Sequence, residues 1–189
     1  MKLFIASDIH GSAFWCGRMT EAVRSEAPEL VLLLGDILYH GPRNDLPAEY
    51  DPKKVADLLA PLADRLLCVR GNCDSEVDQM VLAFPILNEN AALYIDGHLL
   101  IAVHGHHMRE EKATPACGEV VLFGHTHVPG VFDPPPCDGS GRRWINPGSV
   151  SIPKEGSPNG YLIYENGIFR WKRLDDLSEY QTHSLYGNR

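Results

Sequence analysis

Five short polar motifs in this sequence supply side chains that bind metal ions, and each motif follows a short apolar run. Their residues offer carboxylate oxygen, amide oxygen and imidazole nitrogen, a mixture that suits Mn²⁺, Fe or Zn²⁺ better than Ca²⁺ or a thiolate-bound structural zinc. Seven such ligands are too many for one tetrahedral ion and suit two ions that share a carboxylate, the arrangement that promotes in-line displacement at phosphorus. The candidate ligands are Asp8, His10, Asp36, Asn72, His104, His125 and His127.

The apolar runs before these motifs are typical of strands in a buried sheet. Ligands of such sheets lie at the carboxyl ends of the strands, so we expect the seven side chains to gather at one edge of one sheet. The runs are residues 2–7 before Asp8-x-His10, 30–34 before Gly35-Asp36, 65–70 before Gly71-Asn72-Cys73-Asp74, 99–103 before His104-Gly105-His106, and 119–123 before Gly124-His125-Thr126-His127.

The order of predicted elements indicates the fold class. The first half alternates strands with helices, which we expect at about 12–27, 52–63 and 75–82, with Ser12 and Asp51 as N-caps. In the second half, Asp-Gly at 96–97 and Asn-Gly at 166–167 predict two hairpins, because these pairs accept the positive φ angles of two-residue turns. The segment 133–141 fits neither helix nor strand, and the tail from 175 is left unassigned. The pattern predicts an α/β (α+β) fold, an αβ-sandwich of two mixed β-sheets flanked by helices, as a single domain over residues 1–189.

Composition excludes several function classes. The formal net charge of −8 argues against a general nucleic-acid-binding or anionic-membrane surface. No stretch approaches the roughly 18 apolar residues of a membrane span, and the first apolar run is about half as long as a signal-peptide core. The five cysteines lack CxxC spacing, which favours a reduced, cytoplasmic compartment.

Each motif alone has a simpler explanation: Gly-Asp and Gly-Asn-x-Asp are common turn sequences, and His-x-His is found in surface loops. Their occurrence together favours a site. In this order, the motifs resemble those of the calcineurin-like metallophosphoesterase superfamily, from residue 2 to about 151. Gly-Asn-Cys-Asp and the later Asn146-Pro-Gly-Ser149 resemble more narrowly its small bacterial and archaeal phosphodiesterases, the YfcE-type group. The retromer cargo-binding subunit is similar in fold to these enzymes.

The resemblance implies a divalent-metal-dependent phosphodiesterase that acts on a small phosphodiester substrate, with hydroxide between two metal ions as the nucleophile. It implies two divalent cations, with Mn²⁺ favoured and Zn²⁺, Fe or Ni²⁺ as alternatives. It places Asp8, His10 and His127 at the first ion, Asn72, His104 and His125 at the second, and Asp36 between them. The residues expected to take part in catalysis are Asp36, Asn72, Cys73, Asp74 and His106.

Cys73 departs from the superfamily pattern, which has histidine at this position to stabilise or protonate the leaving oxygen. Asp74, which would orient that histidine, is present. Cysteine is a weak hydrogen-bond donor with an ordinary pKa of about 8.5, so it replaces histidine poorly. Cys73 is then either a small filler without a chemical role or a third ligand or redox-sensitive thiol. His106 could contact substrate, replace the missing acid, or lie in an exposed loop.

Two alternatives for function stay open. The chain could be a catalytically weak, metal-bound scaffold or protein-binding module of the same fold, although a scaffold needs none of the seven ligands and all are present. It could also be a metal hydrolase that acts on a bond other than a phosphate ester. A homo-oligomer is a further expectation, because the hairpin edges of the second half could pair two subunits.

Overall fold

The computed structural model describes residues 1–108, 118–133 and 142–186. Within these ranges the chain forms eleven strands, three α-helices and one 3₁₀ helix, Ala60–Arg65. No described helix is long and apolar enough to cross a membrane. The helices are α1 Ala13–Glu26, α2 Pro52–Leu59 and α3 Glu76–Gln79. The strands are β1 Lys2–Ala6, β2 Leu30–Leu33, β3 Leu66–Cys68, β4 Asn90–Ile95, β5 His98–Val103, β6 Val120–Leu122, β7 Gly130–Phe132, β8 Arg143–Asn146, β9 Gly160–Glu165, β10 Ile168–Arg173 and β11 Glu179–Ser184.

The strands form two mixed sheets, as the sequence predicts. The first sheet has the order β11-β10-β9-β1-β2-β3, in which β1, β2 and β3 are parallel and β9, β10 and β11 alternate in direction. The second has the order β4-β5-β6-β8-β7, in which β5, β6 and β8 are parallel and both edge strands are antiparallel to their neighbours. This arrangement confirms the predicted fold class.

The five apolar runs before the metal-binding motifs lie in two sheets, so the expectation of a single sheet is wrong. β1, β2 and β3 belong to the first sheet, whereas β5 and β6 belong to the second. The carboxyl ends of these strands, from both sheets, nevertheless meet at the same end of the sandwich. There the backbone N–H of His125, which follows β6, donates to Asp8 Oδ2, which follows β1, at 3.0 Å.

Packing on both faces explains why β1 is apolar from Leu3 to Ala6. Leu3 and Ile5 point into the core between the two sheets, whereas Phe4 and Ala6 point into the core beneath α1 and α2. A third buried cluster, which includes Trp144, lies on the other face of the second sheet. Fully buried strands show no alternation of polar and apolar residues, so such a run does not reveal the sheet that contains it.

The local turn and cap signals are mostly confirmed. Ser12 caps α1 by accepting from Trp15 N, and the two predicted hairpins form with positive φ at both turn residues. The predicted second helix is α-helical only to Leu59 and continues as the 3₁₀ helix, and α3 is shorter than predicted. Strands β7, β8 and β11 were not assigned from the sequence; β11 is half-exposed and polar. Of the predicted irregular segment, residues 134–141 lie outside the described residues, as do Cys117 and Cys137.

Glu26, at the end of α1, joins the helix to three strands. Its carboxylate, 10% exposed, accepts from Lys2 Nζ at 2.6 Å and from Tyr161 Oη at 3.1 Å, and it also pairs with Lys172. Burial opposes ionisation of Glu26, but the ammonium groups of Lys172 and Lys2 hold its pKa below the ordinary value of 4.5. The ion pairs therefore stabilise the fold whenever Glu26 is ionised.

We expect Glu26→Gln to lower the free energy of unfolding by about 2 kcal/mol near pH 7, because hydrogen bonds to a charged group are lost. The folded-state pKa is depressed, so this stabilisation is complete above the unfolded-state pKa and disappears as the pH falls through the folded-state value. Urea unfolding of both proteins at neutral pH and at about pH 3 measures this change.

Glu21→Gln is the matched control for this prediction, since Glu21 lies on the same helix, is 62% exposed and, among the described residues, pairs with Arg18 alone, at 3.9 Å. It should change stability by less than about 0.5 kcal/mol at either pH. Equal losses for the two variants at neutral pH would contradict a structural role for the Glu26 cluster.

Candidate metal centre

The first cluster at the end of the sandwich contains Asp8, His10 and His127, all buried. Asp8 Oδ1 lies 3.3 Å from His127 Nε2 and 3.6 Å from His10 Nε2. The two imidazole Nε2 atoms lie 3.3 Å apart. Three potential ligand atoms therefore point at one small volume.

The second cluster contains Asp36, His104 and His125, with Asn72 beside it. His104 Nε2 lies 3.4 Å from Asp36 Oδ2 and 3.1 Å from Asn72 Oδ1. The same Asp36 oxygen lies 3.7 Å from His10 Nε2 of the first cluster. Asp36 Oδ2 is thus positioned between the two clusters, and the structure brings all seven predicted ligands together.

Three of the histidines are oriented by backbone carbonyl groups. In each, Nδ1–H donates to a carbonyl oxygen, which leaves Nε2 without a proton in the neutral ring and directs it to the centre. Such carbonyl partners are typical of metal-binding histidines. The pairs are His10 with Tyr39 at 2.8 Å, His104 with Leu34 at 2.6 Å and His127 with Ile152 at 2.6 Å.

The donor set fits divalent cations on two observations. The Nε2 atoms of His10 and His127 lie 3.3 Å apart, and lone pairs on both would repel each other unless a cation or a proton lies between them. Asp8 Oδ1 is fully buried and has no hydrogen-bond partner in the described part of the chain, and a buried unpaired carboxylate oxygen is costly. Bound cations would remove the repulsion between the two rings and would pair with Asp8 Oδ1.

The acids and imidazoles of the clusters shift one another's pKa values. Burial opposes ionisation of Asp8, but the nearby imidazoles of His10 and His127 hold its pKa well below the usual range. Burial lowers the pKa of His104, and the nearby carboxylates of Asp36 and Asp8 overcome this effect and raise it to about 9. These carboxylates therefore stabilise positive charge in the centre.

Five of the predicted ligands have left-handed backbone conformations, which are uncommon outside glycine. Such conformations cost about 1–3 kcal/mol each and persist where the surrounding structure imposes them. Here the loops constrain one another: Asp8 N donates to Gly35 O at 3.1 Å, and His10 N donates to Asp36 O at 2.9 Å. The φ angles are 59° for Asp8, 49° for His10, 56° for Asp36, 62° for His125 and 62° for His127.

Residues 1–166 match the profile of the calcineurin-like phosphoesterase superfamily domain. The chain belongs to this superfamily. It is 42% identical over 181 residues to the phosphodiesterase YfcE of Escherichia coli strain K12, which covers 94% of this chain and 95% of that protein. The solved structure of YfcE, described as a phosphoesterase from E. coli, superposes with a TM-score of 0.88 at 39% identity, over 98% of this chain and all of that one.

A more distant structure shares the calcineurin-like fold alone. Vps29 of Entamoeba histolytica in complex with zinc matches with a TM-score of 0.58 at 17% identity, over 97% of this chain and 99% of that one. At this identity the likeness supports the architecture of the phosphoesterase and says nothing of its ligands.

Asp74 has a different position in this phosphoesterase from the one expected. Its Oδ2 accepts from Asp36 N at 2.9 Å and from Gly71 N at 2.7 Å, and its Oδ1 accepts from Ile37 N at 2.9 Å. Asp74 is buried and does not line the cleft, so it does not itself face substrate. The geometry makes it a positioning residue that joins the Asp36 loop to the Gly71 loop.

Cys73 and His106 both line the cleft above the clusters. Cys73 N donates to Asp36 Oδ1 at 2.8 Å, and Cys73 Sγ lies within 4.8 Å of ligand atoms of His10 and Asp36. Burial and the Asp36 carboxylate raise the pKa of the Cys73 thiol, so the thiol is protonated at neutral pH. Burial, with His104 and His107 nearby, lowers the pKa of His106 to about 4, which makes it a neutral ring there.

The Asn146-Pro-Gly-Ser149 segment positions the ligand loops, a role that the sequence analysis did not assign. Ser149 Oγ donates to Asp8 O at 2.9 Å, and Asn146 Nδ2 donates to Gly124 O at 2.8 Å and to Thr126 Oγ1 at 3.0 Å. Asn146 and Ser149 thereby fix the loops that carry Asp8 and His125. The Asn-Pro-Gly-Ser motif marks this segment in the sequence, but its spacing does not reveal which loops the segment contacts.

Proposed function

We propose that this phosphoesterase hydrolyses small phosphodiesters with two divalent cations. Asp8, His10 and His127 would hold the first, and Asn72, His104 and His125 the second, with Asp36 shared. The observation that carries the proposal is the place of Asp36 Oδ2, 3.4 Å from His104 Nε2 and 3.7 Å from His10 Nε2. One carboxylate facing two clusters is the arrangement that a bridging ligand requires.

Two cations, when bound, would neutralise phosphate charge and lower the pKa of bound water. The protein contributes fixed geometry: carbonyl-oriented imidazoles, and an Asp36 carboxylate that the Cys73 N–H and the Asp74 contacts hold in place. The donor set accepts Mn²⁺, our first choice, and also Zn²⁺, Fe or Ni²⁺. A homo-oligomer, a single domain and a cytoplasmic location stay predictions.

The choice of diesters over monoesters rests on Cys73 and on the similarity to a protein named phosphodiesterase. A protonated thiol is a weak donor, so it gives little help to a leaving oxygen that needs a proton. An aryloxide leaves without that help because its conjugate acid is stronger than an alkyl alcohol. The centre should therefore favour diesters with acidic leaving groups.

We expect the Mn²⁺-loaded protein to hydrolyse bis(para-nitrophenyl) phosphate at least about 100-fold faster, in kcat/KM, than an alkyl monoester such as glycerol phosphate, since general-acid catalysis contributes about 10²–10⁴. Cys73→His should raise the alkyl monoester rate by about tenfold or more, because imidazolium can protonate the leaving oxygen. Initial rates of ester cleavage for both substrates and both proteins measure this.

Cys73→Ser is the control, since it removes the thiol and adds no acid. Retained diester activity in this variant agrees with Cys73 as a filler, whereas its loss would assign the thiol a direct role. Comparable turnover of aryl diester and alkyl monoester by the unaltered protein would refute the missing-acid argument. Activity that survives complete chelation of divalent metals would refute the metal mechanism itself.

A further inference from the structure

The cleft above the metal centre, about 620 Å³ in volume, carries two cationic side chains on its walls, Arg43 and Lys154. Both are exposed, and within residues 1–108, 118–133 and 142–186 neither has a carboxylate at ion-pair distance. Several other cations of the chain do have such partners, among them Lys2, Arg70 and Lys172. Two unpaired cations in one cleft are notable in a protein with a net charge of −8.

Both cations project from segments that hold histidines of the first cluster. Lys154 N donates to His127 O at 3.2 Å, two residues after Ile152, whose carbonyl oxygen orients the His127 ring. Arg43 follows Tyr39, whose carbonyl oxygen orients His10. The two cations therefore lie on loops that also supply the carbonyl partners of the His10 and His127 rings.

Another part of the described lining carries no lysine or arginine. It is formed by Gly105, His106 and Met108, which follow the His104 ligand of the second cluster. The lysine and arginine side chains of the described lining are thus Arg43 and Lys154, and these three residues add no carboxylate that could pair with them.

The cations are not needed to neutralise the scissile phosphodiester. That group carries one negative charge and would face two divalent ions, whose charge of +4 exceeds the −2 of the Asp8 and Asp36 carboxylates by two. A cleft of about 620 Å³ also has the size of sites that enclose ligands much larger than a bare diester, which run from about 300 to 1,000 Å³. The cleft therefore has both volume and positive charge beyond what the scissile diester would use.

We propose that Arg43 and Lys154 bind a second anionic group on the substrate. The favoured substrates are then phosphodiesters whose non-leaving arm ends in a phosphomonoester or a carboxylate. Arginine pairs with either group through two parallel hydrogen bonds, and lysine adds a point charge. This inference rests on the proposed function and specifies the substrate class of the same site.

The test uses three para-nitrophenyl phosphodiesters whose second arm is butyl, carboxypropyl or phosphonopropyl, so that the leaving group is constant and a phosphonate stands for the phosphomonoester. We expect kcat/KM for the anionic arms to exceed that for butyl by about tenfold, mainly through KM, since each exposed ion pair contributes a factor of about two to five. Arg43→Gln and Lys154→Met should each reduce this ratio by about threefold, and the double variant should abolish it. A higher ionic strength should reduce the ratio as well.

Arg24→Gln and Lys53→Met, on exposed positions of α1 and α2 outside the cleft, are the matched controls and should leave the ratio unchanged. The larger of the two anionic ratios identifies the phosphomonoester or the carboxylate as the preferred group. If the butyl diester is hydrolysed but the ratio is near one, or survives in the double variant, the anion subsite is wrong and the proposed function stands. If no diester is hydrolysed, the proposed function itself fails.

Discussion

Replacing Asp36 by asparagine is expected to lower kcat/KM on bis(para-nitrophenyl) phosphate by more than about 100-fold. Mutating a residue that only hydrogen-bonds to a metal ligand already lowers metal affinity or activity by about 10- to 100-fold, and Asp36 is itself a proposed ligand. The Asp36 side chain is 2% exposed, and its Oδ2 lies within 3.7 Å of imidazoles from both clusters. Asparagine keeps the shape but removes the negative charge and half of the acceptor capacity. Neither cluster would then share a carboxylate.

The measurement pairs steady-state kinetics with the metal content of the purified protein. We expect two ions per chain in the unaltered protein and at most one in the variant. Asp57→Asn, an exposed position on α2, is the control and should match the unaltered protein in both respects. Full activity in Asp36→Asn would exclude a bridging role for this carboxylate.

Asp74→Asn is expected to lower the free energy of unfolding by about 3 kcal/mol, because hydrogen bonds from backbone N–H groups to a buried carboxylate are each worth about 1.5–3 kcal/mol. The carboxylate accepts from the N–H groups of Asp36, Ile37 and Gly71. An amide has one oxygen, so its NH₂ group must face at least one of these donors. The loop that carries Asp36 would loosen as a result.

Metal titration distinguishes this positioning role from a direct part in the reaction. We expect Asp74→Asn to need about 10- to 100-fold more Mn²⁺ for half-maximal activity and to recover most of kcat at saturation. Asp51→Asn is the control, since Asp51 caps α2 at an exposed site where asparagine caps equally well. A loss of kcat that persists at saturating metal, with stability unchanged, would instead place Asp74 in the reaction.

Local signals made most of the fold predictable. Asp96-Gly97 and Asn166-Gly167 specify their turns because the neighbouring strands need a twist that positive φ angles supply. Ser12 specifies the start of α1 through its own hydroxyl. The division of strands between sheets was not predictable, because β1 and β5 are both apolar runs and only long-range packing separates them.

The site was predictable as a set of residues and less so as a set of contacts. The types and order of the seven ligands carried enough information to expect their convergence. The contacts of Asp74 were not predictable, because the spacing of Gly71-Asn72-Cys73-Asp74 does not reveal that its carboxylate accepts from backbone N–H groups away from the cleft. The left-handed backbone of residues such as Asp8 and His127 depends on neighbouring loops far away in the chain.

Each ligand cluster draws on both sheets. Asp8 and His10 follow β1 of the first sheet, whereas His127 follows β6 of the second, and the cluster around Asp36 and His104 is divided in the same way. A cation in either cluster would act as a noncovalent cross-link between the two layers, so its binding free energy would add to the free energy of their docking. Activity would then require that the two sheets are docked on each other, because neither sheet alone contains a complete set of ligands.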